Sequence, residues 1–591
     1  MNQLDNTRNT LFSKVISSHV TDYYVNRQLE DRFNIVTADI ESHTDDQGAW
    51  IFDMISVCQY DTTKLFYDLV EAFDYLNAMK ATVYFHNLDF DGLFFLQHEG
   101  IMEGVTDEPL INSGNMMLTF TLHDVVFKNS LSLLPMSLSK VVSVFLNIRD
   151  AQYQDDKVNI LSLTQEELEP YCLKDSMYLY MALYKTFDYF KEHYDAAPSL
   201  TIPSTTFKIY EKHYMPKGLL DIKHRNSFFD KDYYFGGHTE KFVNDQYVFR
   251  NRHYYDVNSL YPSEMVKMRL GVGKLERIAP TTSNLTRLLN KKTLFFGEFI
   301  VDIDSEALRF FPVLDAENSI NKYPLGRQRL KLSEVGLAFI LKWGSRKNIK
   351  RVLTLMTYGD SPVVEPFKKF VDVQYARRKA KKSNDVVCKL MLNSLYGKFG
   401  EKLVRDCKYI NVTESHDSNP NSISFKNENL VVSTYTEETP FFNKYRNRLD
   451  ICGKITEASR LSMGDRINTI RKYGKVDYTD TDSIITAVDI TKYPETAKLF
   501  DSVELGKLGD EIGHKDHAII LGTKMYHFYK SGKKATKGVK TMDLSNFREI
   551  IRGRRDFQNT RFTKLHTLVN RGFFGIQITP YVISNILQRL D

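Results

Sequence analysis

Two short segments, far apart in the chain, carry the residue types of metal-assisted phosphoryl transfer. Asp256 opens the run Asp256-Val257-Asn258-Ser259-Leu260-Tyr261-Pro262, behind the strand-like His253-Tyr254-Tyr255. Tyr478-Thr479-Asp480-Thr481-Asp482-Ser483 supplies two more carboxylates, followed by Ile484-Ile485. Carboxylates beside apolar strands are costly to desolvate unless a cation offsets their charge. Converging, Asp256, Asp480 and Asp482 would hold two Mg²⁺ ions around a transferring phosphoryl group. Taken singly, each segment reads equally well as a polar turn. Lys389-Leu390-Met391-Leu392-Asn393-Ser394-Leu395-Tyr396-Gly397 shifts that balance. Its Lys389, Asn393 and Tyr396 fall at i, i+4 and i+7, on one helix face. A cation, an amide and a ring on one stripe suit a triphosphate and a base pair.

An earlier set of carboxylates suits hydrolysis. Asp39 and Glu41 follow the strand run Phe33 to Ala38, and their i, i+2 spacing puts both on one face. Asp91 is expected at the end of a second strand, Ala81 to Phe85, after His86-Asn87-Leu88-Asp89-Phe90. Tyr171 and Asp175 lie one helical turn apart. Four carboxylates and a phenol would build a two-metal site, with Tyr171 orienting the attacking water. Asp-x-Glu alone is a weak signal; the order strand, strand, helix is more specific.

The elements that position these groups read as several domains, since 591 residues are too many for one core. Strands and helices interleave up to a Pro, Ser and Thr-rich loop, Ala197 to Thr206, an α/β pattern with a boundary near residue 195. A helix is expected over 161–187, a strand over 294–301, and a helical hairpin over 365–400 turning at Lys382-Ser383-Asn384-Asp385. Residues 412–430, rich in Asn and Ser, read as a loop or a small insertion. The five cysteines are widely spaced with no Cys-x-x-Cys, which excludes a structural zinc ribbon and points to a reducing compartment. No stretch approaches a membrane span, and the start lacks the pattern of a signal peptide. Charge is uneven: residues 39–108 hold fifteen acidic and two basic side chains, whereas 530–555 hold nine basic and two acidic. Basic stretches in the second half, including Ala376-Arg377-Arg378-Lys379-Ala380-Lys381-Lys382, would track a phosphate backbone or stand as solvated faces. A non-catalytic DNA-binding scaffold is disfavoured, because acidic clusters facing phosphate gain such a module nothing.

The three nuclease segments resemble the motifs of the DnaQ-like (RNase H-like) 3′–5′ exonuclease domain. The later three resemble motifs A, B and C of family B DNA polymerases, most closely the protein-primed subgroup of small linear-genome phages and plasmids. Tyr234-Phe235-Gly236-Gly237 resembles its Tyr-x-Gly-Gly element. Thr456-Glu457-Ala458-Ser459-Arg460 resembles Thr-x-x-Gly/Ala-Arg, with Ser459 departing from the pattern, and Lys524-Met525-Tyr526 resembles Lys-x-Tyr. The resemblance implies an α/β and α+β multidomain fold, a nuclease joined to a right-hand polymerase. Residues 1–195 would be the exonuclease, 196–267 and 449–550 the palm, and 365–400 the fingers. Residues 551–591 would be a small thumb, and 268–364 and 401–448 the terminal-protein regions TPR1 and TPR2, with TPR1 an independent lobe.

Residue roles follow from the same resemblance. Asp256, Val257 and Asp482 would bind metal in the palm, with Asp480 beside them; Asp39, Glu41, Asp91 and Asp175 would bind it in the nuclease. Mg²⁺ is the expected ion, two per site, with Mn²⁺ as a substitute. Tyr261 would reject a 2′-hydroxyl. Lys389, Asn393 and Tyr396 would meet the nucleotide, as would Arg377 by a gapless match to a basic fingers position. Tyr84, His86, Asn87, Phe90, Ser130 and Leu131 would hold single strands; Tyr234, Gly236, Gly237, Thr456, Arg460, Lys524 and Tyr526 would hold primer and template. The implied partners are DNA, dNTPs, a terminal protein and a single-stranded-DNA-binding protein, for a monomer in a host cytoplasm. The open alternative is the same fold extending only nucleic-acid primers.

Overall fold

The computed structural model describes residues 33–44, 50–60, 62–103, 108–113, 116–148, 164–220, 228–229, 232–243, 245–315, 320–380, 385–401, 404–411, 422–426, 431–438, 448–537, 542–552, 557–562 and 578–583. Within the expected nuclease, the strand Val36–Thr44 pairs antiparallel with Trp50–Gln59 and parallel with Thr82–Phe85. This sheet continues through Val125–Asn129 and Met116–Leu122 to Glu108–Ser113. The helix Gln165–Tyr194 crosses it, opened by a capping box between Thr164 and Glu167. Two buried hydroxyls fasten helix to sheet: Thr37 Oγ1 donates to the Ser176 carbonyl at 2.7 Å, and Ser56 Oγ to that of Cys172 at 2.7 Å. The expected boundary loop is shorter than the composition suggested. Thr201 caps a helix, Ile202–His213, whose first turn accepts Pro203 because the missing N–H has no partner there anyway.

The palm sheet runs in the order Lys534–Thr536, Met525–Phe528, Asp516–Gly522, Val248–Val257, Ser483–Thr486, Val476–Asp480, Thr239–Lys241. The helix Leu449–Arg471 backs it and is buried along most of its length. The fingers are two helices, Lys368–Lys379 and Asp385–Lys398; residues 381–384 of the expected turn lie outside the described residues.

One expectation is corrected. Residues 268–364 do contain a four-stranded antiparallel sheet, Glu276–Ile278, Ile349–Thr357, Phe295–Ile303 and Gly326–Ser333. This block is not an independent lobe, because its Phe299, Leu337 and Ile340 share one apolar cluster with Tyr255, Val257, Leu461 and Ile484 of the palm. Glu457 adds a buried polar tie, accepting from the Ser333 amide at 3.1 Å and the Tyr233 hydroxyl at 3.2 Å. Within 412–430, expected as a loop or small insertion, Ser422–Lys426 is a strand; it pairs with Val431–Glu438, which pairs with Val404–Asn411. The last of these pairs with Glu108–Ser113, so this insertion extends the nuclease sheet to ten strands. In the expected thumb, Phe557–Phe562 pairs with Ile578–Ile583.

A shared core predicts shared unfolding. Leu337→Ala, at a fully buried position, should cost about 2–5 kcal/mol and lower the melting of palm and inserted block together. Calorimetry resolving a separate, selectively shifted transition for residues 268–364 would refute this.

Candidate active sites

In the nuclease, the strand Val36–Thr44 brings up Asp39 and the buried Glu41, and the helix Gln165–Tyr194 brings up Tyr171 and Asp175. Asp91 comes from the first turn of the helix Leu88–Gln97 rather than from a strand end. Asn87, at φ 109°, turns the chain out of Thr82–Phe85 early, and a helix N-terminus favours a carboxylate. The Asp91 carboxylate accepts the Ile40 amide at 3.2 Å, between the two acidic residues of the strand. Burial, then the Asp91 charge, raises Asp39; burial, then Asp39, Asp175 and Asp91, pushes Glu41 up to about 10. Burial pushes Asp91 up to about 7, with Asp175 adding to it. Burial also raises Tyr171, with Asp175, Glu41 and Asp39 close enough to add to it. The four carboxylates and the phenol are therefore close enough to raise one another. The hard oxygen donors of this set fit a divalent cation such as Mg²⁺. One group was missed: ligand atoms of Cys172, Asp39 and Glu41 lie within 4.8 Å of one another. Its signal was the i, i+3 spacing to Asp175.

In the palm, Asp256 ends the central strand, opposite Ser483 in the register, and the Val257 amide donates to the Asp482 carbonyl at 2.8 Å. Thr481, at φ 59°, makes the turn that separates Asp480 from Asp482. That turn requires Gly237, whose Cβ would stand 2.6 Å from the Thr481 side chain. Burial, then Asp482 and Glu511, pushes Asp256 up to about 7, while Lys533 and Lys389 oppose the rise. Burial also raises Asp482, with Asp480 adding and Lys524 and Lys389 opposing. Lys389 thus faces both carboxylates from the fingers. Asp480 is already committed to Lys524 at 2.6 Å and to the Thr239 hydroxyl at 3.0 Å. Asp256 and Asp482 are left as the oxygen pair for metal, and they fit the same hard cation. Val257 has its side chain in the core, so only its main chain could contribute. The Tyr261 and Tyr396 rings stack at 4.7 Å and 11°, and Asn393 is exposed on the same helix as Lys389. Glu511 was not foreseen; the short strand Leu508–Asp510 beside Asp256 brings it in. A cavity of about 360 Å³ behind the palm is lined by Glu457, Arg460, Phe310 and Phe311, and by none of these aspartates.

Several expected DNA ligands are engaged within the protein. The Thr456 hydroxyl donates to its own helix at Gly453, and Arg460 donates to the carbonyls of Phe235 and Gly236; both side chains are buried. Arg460 thereby ties down the Tyr234-Phe235-Gly236-Gly237 segment. Tyr526 is buried with its hydroxyl 3.1 Å from that of Tyr254. Tyr84 is buried edge-on to Phe187, and Ser130 donates to the Phe85 carbonyl. His86 has both ring nitrogens engaged, by Ser130 and the Met136 carbonyl, and burial pulls it down to about 4. Asn87, Gly236 and Lys524 are exposed, and Phe90, Leu131, Tyr234 and Gly237 partly so. Arg377 does not reach the palm: it donates to the Tyr194 hydroxyl at 2.6 Å.

Comparison with known proteins agrees with this architecture. Residues 148–485, more than half of the chain, match the family described as DNA polymerase type B, organellar and viral, and the chain belongs to it. A probable DNA polymerase of Neurospora intermedia is 25% identical over 390 residues, which are 61% of this chain and 37% of that protein. The DNA polymerase of Bacillus phage B103 is 27% identical over 409 residues, 61% of this chain and 67% of that one. The match thus spans little more than a third of the fungal relative's length. The fold is that of phi29 DNA polymerase. Its complex with primer-template DNA and incoming nucleotide substrates superposes with a TM-score of 0.65 at 17% identity, covering 93% of this chain and 99% of that one. Among the described residues, no helix is long and apolar enough to cross a membrane.

Crowded, buried carboxylates make a further prediction. Asp91 holds its proton to higher pH folded than unfolded, so without metal the native state loses stability as pH rises from about 4 toward about 7. Divalent metal bound only by the folded chain should flatten that decline. Thermal melts in EDTA and in Mg²⁺ across this range check it; identical slopes would contradict the charge assignment.

Proposed function

We propose that this chain is a template-directed DNA polymerase with a 3′–5′ proofreading exonuclease, copying a linear viral or plasmid genome by protein-primed, strand-displacing synthesis. The convergence of Asp256 and Asp482, faced by Lys389 and flanked by the Tyr261–Tyr396 stack, carries this reading. Divalent metal, held by Asp256 and Asp482 in the palm and by Asp39, Glu41, Asp91 and Asp175 in the nuclease, would supply Lewis-acid stabilisation of phosphoryl oxygens. The primer 3′-hydroxyl attacks the α-phosphate and pyrophosphate leaves. The chain's part is positioning and electrostatics. Lys389 meets the charge of the triphosphate, and Lys524, by holding Asp480, keeps that carboxylate away from it. The Tyr261 ring, braced by Tyr396, leaves no room for a 2′-hydroxyl. In the nuclease, Tyr171 orients the water that attacks the terminal phosphodiester. Protein priming rests on the position of the 268–364 and 401–448 blocks, and its direct assay is attachment of a dNMP to a protein hydroxyl.

Asp482→Ala should slow primer extension on the order of a thousandfold or more while leaving degradation of single strands in place. Asp39→Ala with Glu41→Ala should do the reverse. Equal loss of both activities in either variant would count against two separate sites. Tyr261→Val should admit ribonucleotides, because steric exclusion rather than a hydrogen bond makes the discrimination. An unchanged dNTP/rNTP ratio in single-turnover incorporation would place the gate elsewhere.

A further inference from the structure

The ring of His238, beside the palm turn, is gripped by both ends of a hairpin in the inserted block. The hairpin strands Val313–Asp315 and Ile320–Lys322 pair antiparallel, and an ion pair from Lys322 to Asp315 at 2.6 Å ties them. Phe310 lies just before the first strand and Tyr323 just after the second. Tyr323 stacks on the His238 ring at 3.7 Å and 26°, and Phe310 meets it edge-on at 5.3 Å. Phe242 of the palm stands edge-on to it at 6.0 Å. His238 is fully buried, with Nε2 2.8 Å from Glu240. Its Nδ1 has no partner, and neither has the buried Tyr323 hydroxyl. The two rings are therefore held face to face, with no hydrogen bond between them.

The main chain around His238 supports the turn that carries the palm carboxylates. The His238 carbonyl accepts the Thr481 amide at 2.8 Å. Gly237, before it, leaves the room that the Thr481 side chain fills. Thr239, after it, stands opposite Asp480 in the register and donates its hydroxyl to that carboxylate at 3.0 Å. Upstream, Arg460 holds the Phe235 and Gly236 carbonyls from the palm helix. A threonine at φ 59° persists only where its neighbours hold it, and metal ligands must be kept within about 0.5 Å of their working place. A displaced His238 ring would move the carbonyl that Thr481 depends on, and Asp482 is the next residue. We propose that Tyr323 is a positioning residue for the polymerase site: through the His238 ring, the inserted hairpin sets the turn that carries Asp482. The inserted block then contributes to nucleotide addition from every primer and not to initiation alone. This deepens the polymerase reading and rests on it.

The test reads metal binding as well as activity. In the full chain carrying Asp39→Ala and Glu41→Ala, Mn²⁺ binding followed by electron paramagnetic resonance is compared with and without Asp482→Ala, and the part lost marks the palm site. Tyr323→Ala should weaken that part about three- to tenfold. It should raise the Mg²⁺ needed for half-maximal single-nucleotide incorporation by a similar factor, with the dNTP KM at saturating Mg²⁺ near that of the parent. Tyr323→Phe should restore both readouts, because the hydroxyl has no partner. Tyr323→Leu, which fills the space without a flat ring, should not. His238→Ala should shift the same two readouts, and its double variant with Tyr323→Ala should be no worse than the poorer single one. With the nuclease intact, Tyr323→Ala should leave degradation of single strands and its Mg²⁺ requirement unchanged. Circular dichroism melts establish that each variant folds. Palm Mn²⁺ binding unchanged in both Tyr323→Ala and Tyr323→Leu would overturn the proposal, as would an equal shift in the Mg²⁺ requirement of both activities. A chain whose palm binds Mn²⁺ with this dependence on Tyr323 but extends no primer would sink the polymerase reading instead.

Discussion

Buried carboxylates crowded together are the constraint on which this structure turns. Burial and mutual repulsion raise Asp39, Glu41 and Asp91 in the nuclease and Asp256 and Asp482 at the palm strand end, where Lys533, Lys524 and Lys389 oppose the rise. Holding such groups ionised in a dry interior costs several kcal/mol each. A fold that tolerates this twice must be held rigid by everything around the carboxylates. The scaffolding is visible as buried polar ties that serve no catalytic step. Thr37 and Ser56 bind helix carbonyls, and Arg460 grips the Phe235 and Gly236 carbonyls behind the palm turn.

The two sites solve the same problem differently. The nuclease collects its acids from a strand and two helices, so their spacing depends on helix-to-sheet packing. The palm collects its pair from neighbouring strands, where the hydrogen-bond ladder fixes spacing directly: Asp256 faces Ser483, and the Val257 amide binds Asp482. What remains adjustable in the palm is the turn. Thr481 adopts a left-handed conformation, and Gly237 leaves room for it. Asp480 is paired with Lys524, which sets it apart from Asp256 and Asp482.

The strand and helix carrying Asp39, Glu41, Asp175, Asp256 and Asp482 were legible in the sequence because strand or helix period fixes the face, whereas Asp91, expected at a strand end, sits on a helix. The i, i+2 pair Asp39 and Glu41, the turn from Tyr171 to Asp175, and the fingers stripe from Lys389 to Tyr396 needed no tertiary information. Residues whose role depends on burial were not legible. Thr456, Arg460, Ser130 and Tyr526 have side chains as suited to DNA as to a packed interior, and only the position of neighbouring segments decides. Arg377 shows the limit most sharply. Adjacent residues on a helix point about 100° apart, so Arg377 bonds Tyr194 of the nuclease while its neighbour Arg378 bonds Ser259 beside the palm turn. The 268–364 block misled differently: its pattern of strands and helices looks self-sufficient, yet its inner face has no core without Val257 and Leu461.

These shared cores bear on how nuclease and polymerase act together. Long connections between domains would let each move alone. Here the nuclease's last helix, Ile202–His213 and both fingers helices occupy a single apolar cluster, and Tyr210 stacks on Phe367 at 5.4 Å. On the other side, the strand Val404–Asn411 is hydrogen-bonded into the nuclease sheet. The fingers helices pack against the nuclease helix, and the insertion that follows them joins the nuclease sheet. A rotation of the fingers toward the palm must then either carry the end of Gln165–Tyr194 with it or shear the contact at Tyr189 and Tyr194. Buried phenol–amide bonds resist shear more than apolar contacts do, because a separated pair leaves desolvated donors behind. The fingers helices are therefore coupled, through buried polar and apolar contacts, to the helix that carries Tyr171 and Asp175.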